Sequence, residues 1–156
     1  MKKLFYYETP IGRIGIAEDG AAVTDVFFGD APNAEEFEIG QTPLLREAGD
    51  ELLEYTDGRR RIFQIPLNPV GTEFEKNVWA ALSTIPFGET RSYGDVAKQI
   101  GNPKACRAVG RANSVNPIPI FIPCHRVIGS SGKLVGFAGG LDMKRKLLAL
   151  ENIRID

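Results

Sequence analysis

Residues 92–115 run Ser92-Tyr93-Gly94-Asp95-Val96-Ala97-Lys98-Gln99-Ile100-Gly101-Asn102-Pro103-Lys104-Ala105-Cys106-Arg107-Ala108-Val109-Gly110-Arg111-Ala112-Asn113-Ser114-Val115. Ser92-Tyr93-Gly94-Asp95 opens a short helix that reaches Ile100, Gly101-Asn102-Pro103 turns the chain, and residues 104–115 make a second helix. Helix, tight glycine turn, helix is the helix-turn-helix pattern. The second helix carries Ala105, Cys106, Ala108, Gly110 and Ala112, so few side chains hold it away from whatever it meets. A helix that reads bases in a major groove carries several long polar side chains, whereas small residues let a backbone approach a narrow groove. Two readings stand: close packing between helices, the commoner use of small residues, or entry into a DNA minor groove with little sequence preference. Arg107 and Arg111 on the same helix weigh toward DNA.

Downstream comes Asn116-Pro117-Ile118-Pro119-Ile120-Phe121-Ile122-Pro123-Cys124-His125-Arg126-Val127. Its prolines remove backbone donors and restrict φ, which predicts a rigid, buried, non-helical track delivering Cys124 and His125 to one fixed place. A buried cysteine is by default an inert small hydrophobe, and a lone histidine is usually structural. On an extended track neighbours point to opposite sides, so His125 is badly placed to pair directly with Cys124. A water held by His125 could still take the thiol proton if a carboxylate oriented the ring, and Glu151 at the end of the last helix is the candidate. Such a relay would have a definite task, because an ordinary thiol titrates near pH ~8.5 and is mostly protonated at neutral pH.

Upstream, Phe74, Val78, Ala81, Leu82 and Ile85 share one helical face, opened by Thr72 with Glu75 at capping-box spacing and stopped by Pro86 and Gly88. Residues 44–55 place Leu44, Leu45, Ala48, Leu52 and Tyr55 at helical spacing, after three short segments (4–7, 13–17 and 22–28) that read as an antiparallel meander. Pro66-Leu67-Asn68-Pro69 reads as a stiff linker, and a last helix over 141–151 follows Gly139-Gly140. The fold class expected is α+β: an N-terminal scaffold domain over 1–70 with a small antiparallel sheet and one helix, joined to a mainly helical domain over 71–156 that carries the helix-turn-helix. Charge changes at the same place: residues 1–70 hold 7 Lys/Arg against 13 Asp/Glu, a net of −6, and residues 71–156 hold 12 against 7, a net of +5. That split suits a C-terminal half that meets a polyanion, although chance distribution of surface charge would also produce it.

With 156 residues, 43% of them hydrophobic and 25% charged, the composition is that of a globular protein and speaks against disorder. No stretch approaches the roughly 20 apolar residues of a membrane helix, and Met1-Lys2-Lys3-Leu4 does not open a secretory signal, so a cytoplasmic protein without a membrane partner is expected. Cys106 and Cys124 are expected to remain reduced, Cys106 in a packing role. One histidine, no C-x-x-C pair and no H-E-x-x-H leave too few ligands for a zinc site, so no metal is expected.

Pro123-Cys124-His125-Arg126-Val127 resembles the active-site motif of the O6-alkylguanine-DNA alkyltransferases, also called methylated-DNA-protein-cysteine methyltransferases. The resemblance runs from Gly71-Thr72-Glu73-Phe74 through Pro86-Phe87-Gly88-Glu89-Thr90, Ser92-Tyr93, Asn102-Pro103-Lys104-Ala105, Arg107-Ala108-Val109-Gly110 and Asn116-Pro117 to Gly139-Gly140-Leu141 and residues 147–151. It implies that Cys124 takes an alkyl group from O6-alkylguanine in double-stranded DNA, once and irreversibly, without a cofactor; activity on O4-alkylthymine is left open. It implies a relay of Glu151, His125 and a water that ionises Cys124. Tyr93 would help to extrude the nucleotide and protonate the leaving guanine, and Arg107 would fill the gap in the duplex. Ala105, Ala108, Gly110 and Arg111 would lie along the DNA, and Asn116 would brace the track. The backbones of Cys124 and Val127 would recognise the guanine amino group, and Phe137 and Ala138 would belong to a loop over the pocket, where relatives often carry two hydroxyls that are absent here. A monomer is expected, though no residue decides it.

Overall fold

Lys3–Thr9 (β1), Gly12–Glu18 (β2) and Val23–Phe28 (β3) pair in sequence as an antiparallel meander in the computed structural model, which describes residues 1–130, 132, 137 and 139–154. Cross-strand partners share a face, so Phe5 and Tyr7, opposite Ile16 and Ile14, line one side, while Leu4, opposite Ala17, lies on the other with Ala31, Tyr6, Phe27 and Phe37. The sheet is not purely antiparallel as the sequence suggested. Glu38–Ile39 (β4) adds a parallel edge beside β1, giving the order β3-β2-β1-β4. Two residues are too short to show a period of two, which is why the sequence pattern gave no sign of them.

Pro43–Thr56 (α1) starts at Thr42, whose hydroxyl accepts from the Leu45 N–H, with proline at the first helical position where its missing donor costs nothing. Leu45, Ala48, Leu52 and Tyr55 are buried, and the Tyr7 hydroxyl donates to the Leu45 carbonyl at 2.7 Å. Gly49 lets the Tyr7 ring lie against the helix: a Cβ there would sit 2.4 Å from it. Gly49→Ala is therefore expected to destabilise the N-terminal unit by about 1–3 kcal/mol, the usual cost of overpacking. Urea unfolding would check it, and an unchanged midpoint would show that Tyr7 moves aside freely. The stretch read as a linker is partly sheet: Val23 N–H donates to the Pro66 carbonyl and Asn68 N–H to the Val23 carbonyl.

The chain forms two compact units, Met1–Val70 and Gly71–Asp156, and the second is mainly helical. Glu73–Leu82 (α2) begins with the reciprocal capping box of Thr72 and Glu75. It buries Val78, Trp79, Ala81 and Leu82, with the Trp79 indole donating to the Ala112 carbonyl at 2.9 Å. Arg91–Ser92 (β5) leads into Tyr93–Gln99 (α3), capped by Ser92 and Asp95. Gly101, at φ 81, makes the turn into Cys106–Ser114 (α4), two residues shorter at its start than the sequence suggested, because Lys104 stays in the turn and Ala105 is the N-cap. Val127–Ile128 (β6) pairs in parallel with β5, and Leu141–Leu150 (α5) closes the unit with Glu151 as its C-cap. The architecture is α+β with a helix-turn-helix in a helical C-terminal part. No helix among the described residues is long and apolar enough to cross a membrane.

Candidate active site

The proline track is more contorted than an extended strand. Ile122 N–H donates back to the Ile118 carbonyl at 2.9 Å, and Ile120 takes φ 75, a left-handed conformation that a β-branched side chain adopts only under strain of roughly 1–3 kcal/mol. Asn116 holds this loop from inside, donating to the Ile122 carbonyl at 2.9 Å and accepting from the Ile118 N–H at 3.0 Å. Ile118, Ile120 and Ile122 are buried and anchor it.

The loop delivers Cys124 into a turn of 3-10 helix, Cys124–Arg126, closed by the Arg126 N–H on the Pro123 carbonyl at 3.0 Å. The turn replaces the extended geometry expected at the end of the track, and His125 is directed to Glu151 rather than to its neighbour Cys124. A turn instead lets two consecutive side chains reach one carboxylate. His125 Nε2 lies 2.7 Å from one Glu151 oxygen; Arg126 Nε donates to the other at 2.8 Å and Nη2 to the first at 3.0 Å. Gly88, at φ 82, presents its N–H to the same carboxylate at 2.9 Å, and Arg126 Nη1 donates to the Ile85 carbonyl at 2.7 Å. All three side chains are buried. A buried carboxylate is costly unless its lone pairs are filled, and here they are.

Titration follows from this packing. Burial raises the Glu151 carboxyl, but the bonds from His125 and Arg126 overcome it and pull it down to about 2. Burial also lowers His125, against the pull of Glu151, so its ring is neutral at physiological pH. With Nε2 on the carboxylate, Nδ1 is the ring nitrogen that a relay to the thiol would use. Cys124 is 2% exposed, and burial pushes its thiol up to about 11, opposed by an Asn116 hydrogen bond and the Lys144 charge. The thiol therefore rests protonated near neutral pH. Tyr93 is half-buried at the start of α3, and burial together with Cys124 holds its phenol above the ordinary tyrosine value, as a donor.

The β5–β6 pair, Arg91 with Val127 and Ser92 with Ile128, brings Tyr93 beside the turn that bears Cys124. Along α4, Arg107 and Arg111 are exposed one helical turn apart, Ala105 and Ala108 are half-buried, and Val109, Ala112 and Asn113 face inward. Gly110 is half-buried and packs beside the Tyr93 ring, with 3.9 Å from the place of a Cβ to that ring. Val127 is buried, and Phe137 is half-buried with its carbonyl accepting from Gly140 N–H at 2.9 Å. Ala138 lies outside the described residues. Cys106 is exposed rather than packed, since Ala105 and Cys106 open the helix where its first turn has left the core. The sequence reading missed Arg126, Lys144 and Asn113. Lys144 is buried completely, donating to the Val127 carbonyl at 2.6 Å, and Asn113 donates to the Cys124 carbonyl at 3.4 Å. A signal for Lys144 existed: it shares an i, i+3, i+4 face with Leu147 and Leu148.

A helix-turn-helix unit whose neighbouring buried turn offers one thiol, one neutral imidazole and one ionised carboxylate defines a nucleic-acid-binding protein built for thiol chemistry. The 6-O-methylguanine DNA methyltransferase DNA binding domain matches residues 73–153, and the ribonuclease-like domain of the same methyltransferases matches residues 3–69. The methylated-DNA–protein-cysteine methyltransferase of Methanosarcina acetivorans is 50% identical over 148 residues, covering 93% of this chain and 95% of its own length. The constitutive enzyme of Bacillus subtilis is 45% identical over 153 residues, covering 94% and 93%. The Mycobacterium tuberculosis OGT in complex with DNA superposes with a TM-score of 0.89 at 44% identity, over 96% of this chain and 93% of that one. The chain belongs to the methylated-DNA–protein-cysteine methyltransferase family.

Proposed function

We propose that the chain repairs O6-alkylguanine in double-stranded DNA by moving the alkyl group onto Cys124, once per molecule. The observation that carries this reading is the buried Cys124, His125 and Glu151 set, with Nε2 of the histidine on the carboxylate at 2.7 Å. The thiol proton passes through a water to His125 Nδ1, the imidazolium being held by Glu151. Sulfur attacks the alkyl carbon, the S–C bond forms, the C–O6 bond breaks, and its electron pair moves into the guanine ring. Tyr93 gives a proton to the ring nitrogen that gains this charge, and the proton taken from the thiol restores the phenol. Sulfur ends as a thioether, which has no good leaving group, so no second cycle follows.

Asn116 keeps the track in place, the backbones of Cys124 and Val127 recognise the guanine amino group, and Phe137 belongs to the loop over the pocket. Exposed Arg107 and Arg111 and the small residues Ala105, Ala108 and Gly110 support docking of α4 in the minor groove. A substrate that is DNA supports a cytoplasmic place of work, and a reaction completed by one chain's residues supports a monomer. The reading is tested by incubating the protein with a duplex oligonucleotide containing one O6-methylguanine and mapping its peptides by mass. One methylene mass on Cys124 is the expected result; methyl loss from DNA without it would overturn the reading.

Arg107→Ala is expected to slow repair of duplex DNA by about tenfold or more while changing transfer from the free O6-methylguanine base little, because only the duplex demands that a nucleotide leave the stack, at a few kcal/mol. Single-turnover rates on both substrates check this. Equal losses would remove Arg107 from the extrusion step.

A further inference from the structure

Lys144 is the least expected group near the thiol. It projects from α5, in the last helix of the fold, with no exposure to solvent, and its ammonium donates to the carbonyl of Val127, three residues beyond Cys124. Burial of an ammonium is unfavourable, and a well-packed methionine would fill the same space at less cost. The residue type therefore asks for an electrostatic explanation.

The charged and titratable groups gathered here come from several elements: Cys124, His125 and Arg126 from the 3-10 turn, Glu151 from the end of α5, Tyr93 from α3, and Lys144 itself. Glu151 is bound by Arg126 through two hydrogen bonds and by His125. Its negative charge already serves those two partners. Transfer then requires a second negative charge, on sulfur, inside the same low-dielectric turn, where the nearest opposite charge decides whether it forms.

We propose that Lys144 is the positioning residue that makes Cys124 reactive: its buried ammonium, fixed on the Val127 carbonyl, is the counter-charge of the thiolate formed during transfer. The inference deepens the alkyl-transfer reading and rests on Cys124 being the nucleophile. The directions of titration agree with it. Burial lowers Lys144 and Cys124 pulls it up, with about 8 as the balance, while Lys144 pulls the Cys124 thiol down against burial. Lys144 also disfavours a proton on His125, which keeps the resting imidazole neutral and leaves Glu151 to hold the imidazolium formed during transfer. Charge neutralisation on alkylation then leaves the ammonium facing a neutral thioether.

Two experiments on the full chain test this. In the first, transfer from the free O6-methylguanine base is followed across pH by intact mass, in a Cys106→Ser background that removes the exposed second thiol. Lys144→Met keeps the apolar stem and removes the charge; the rising limb of its profile should move up by about one pH unit, a loss of about tenfold near neutrality. Lys144→Arg should hold the limb where wild type has it. A Lys144→Met profile lowered by one factor at every pH, with the limb unmoved, would reduce Lys144 to a packing role and overturn the proposal.

The second measurement needs no change at Lys144 and so stands even if that variant does not fold. The Lys144 Cε–Hε resonance of lysine-labelled protein is titrated in wild type and in Cys124→Ser. Interacting sites shift one another reciprocally, so Lys144 should titrate lower in the serine variant, by roughly half a unit or more. Identical titrations would overturn the proposal. This readout involves no alkyl transfer, so wild type that takes no methyl group would sink the alkyl-transfer reading while the Lys144 titration still judged the pairing.

Discussion

Cys124→Ser is expected to abolish alkyl transfer while leaving the fold and DNA binding in place. Serine matches cysteine in shape closely enough to keep the turn closed by Arg126 N–H on Pro123 and the Asn113 bond to the residue 124 carbonyl. The chemistry does not survive the change. Even the thiol is pushed up to about 11 by burial, and a hydroxyl starts several units higher, beyond what a neutral imidazole working through water can deprotonate. The rate should fall below detection. Wild type, titrated with excess O6-methylguanine duplex, should stop at one methyl group per active protein. The checks are product formed against protein added and a binding isotherm for each protein. Several equivalents per protein, or transfer by the serine variant, would refute a single-use Cys124.

The second large effect belongs to Glu151. Glu151→Gln takes the charge from a carboxylate that Arg126, His125 and the Gly88 N–H all bind, and leaves the Arg126 guanidinium buried beside a neutral amide. Breaking a buried pair from one side typically costs about 3–5 kcal/mol. A pH signature separates this from general damage. The folded carboxyl sits at about 2, below its ordinary 4.5, so it contributes stability that is present above pH 4.5 and lost as pH falls through 2. At 1.36 kcal/mol per unit that is about 3 kcal/mol. Urea unfolding at a series of pH values should show a wide gap between wild type and variant at neutral pH, closing between pH 4.5 and 2. Parallel curves across that window would show that the carboxylate's charge does not stabilise the turn. Transfer by the variant should also slow near neutrality and recover partly as pH rises.

Much of the architecture could be read from residue order because its elements carry local signals. The meander is bounded by Thr9-Pro10 and Asp19-Gly20, α1 and α2 by Thr42 and Thr72, and the helix-turn-helix by Ser92 and Gly101. The elements that escaped, β4, β5 and β6, have two residues each and exist only through partners far away in the chain. At the site, Cys124, His125 and Glu151 were nameable because each has the right chemistry in a distinctive context. Their relative geometry was not, since the 3-10 turn depends on a carboxylate 25 residues away from Arg126 that pulls two adjacent side chains the same way. Arg126 and Lys144 look like surface cations in the sequence, and only tertiary packing turns them into interior ones. Cys106 shows the reverse error: a small apolar residue among alanines reads as core, yet the helix turns it outward.

The short parallel ladder between Arg91-Ser92 and Val127-Ile128 couples assembly to reactivity. It joins the entrance of the helix-turn-helix to the exit of the nucleophile's turn, and Glu151 must then dock from the far end of α5 before His125 and Arg126 find their partner. These are long-range contacts, which form late in folding because loop closure must precede them. Before that docking, Cys124 has beside it neither the carboxylate that orients His125 nor the bonds that fix Arg126. The arrangement proposed for transfer therefore exists only in the finished fold, together with the helix-turn-helix entrance to which the ladder ties it.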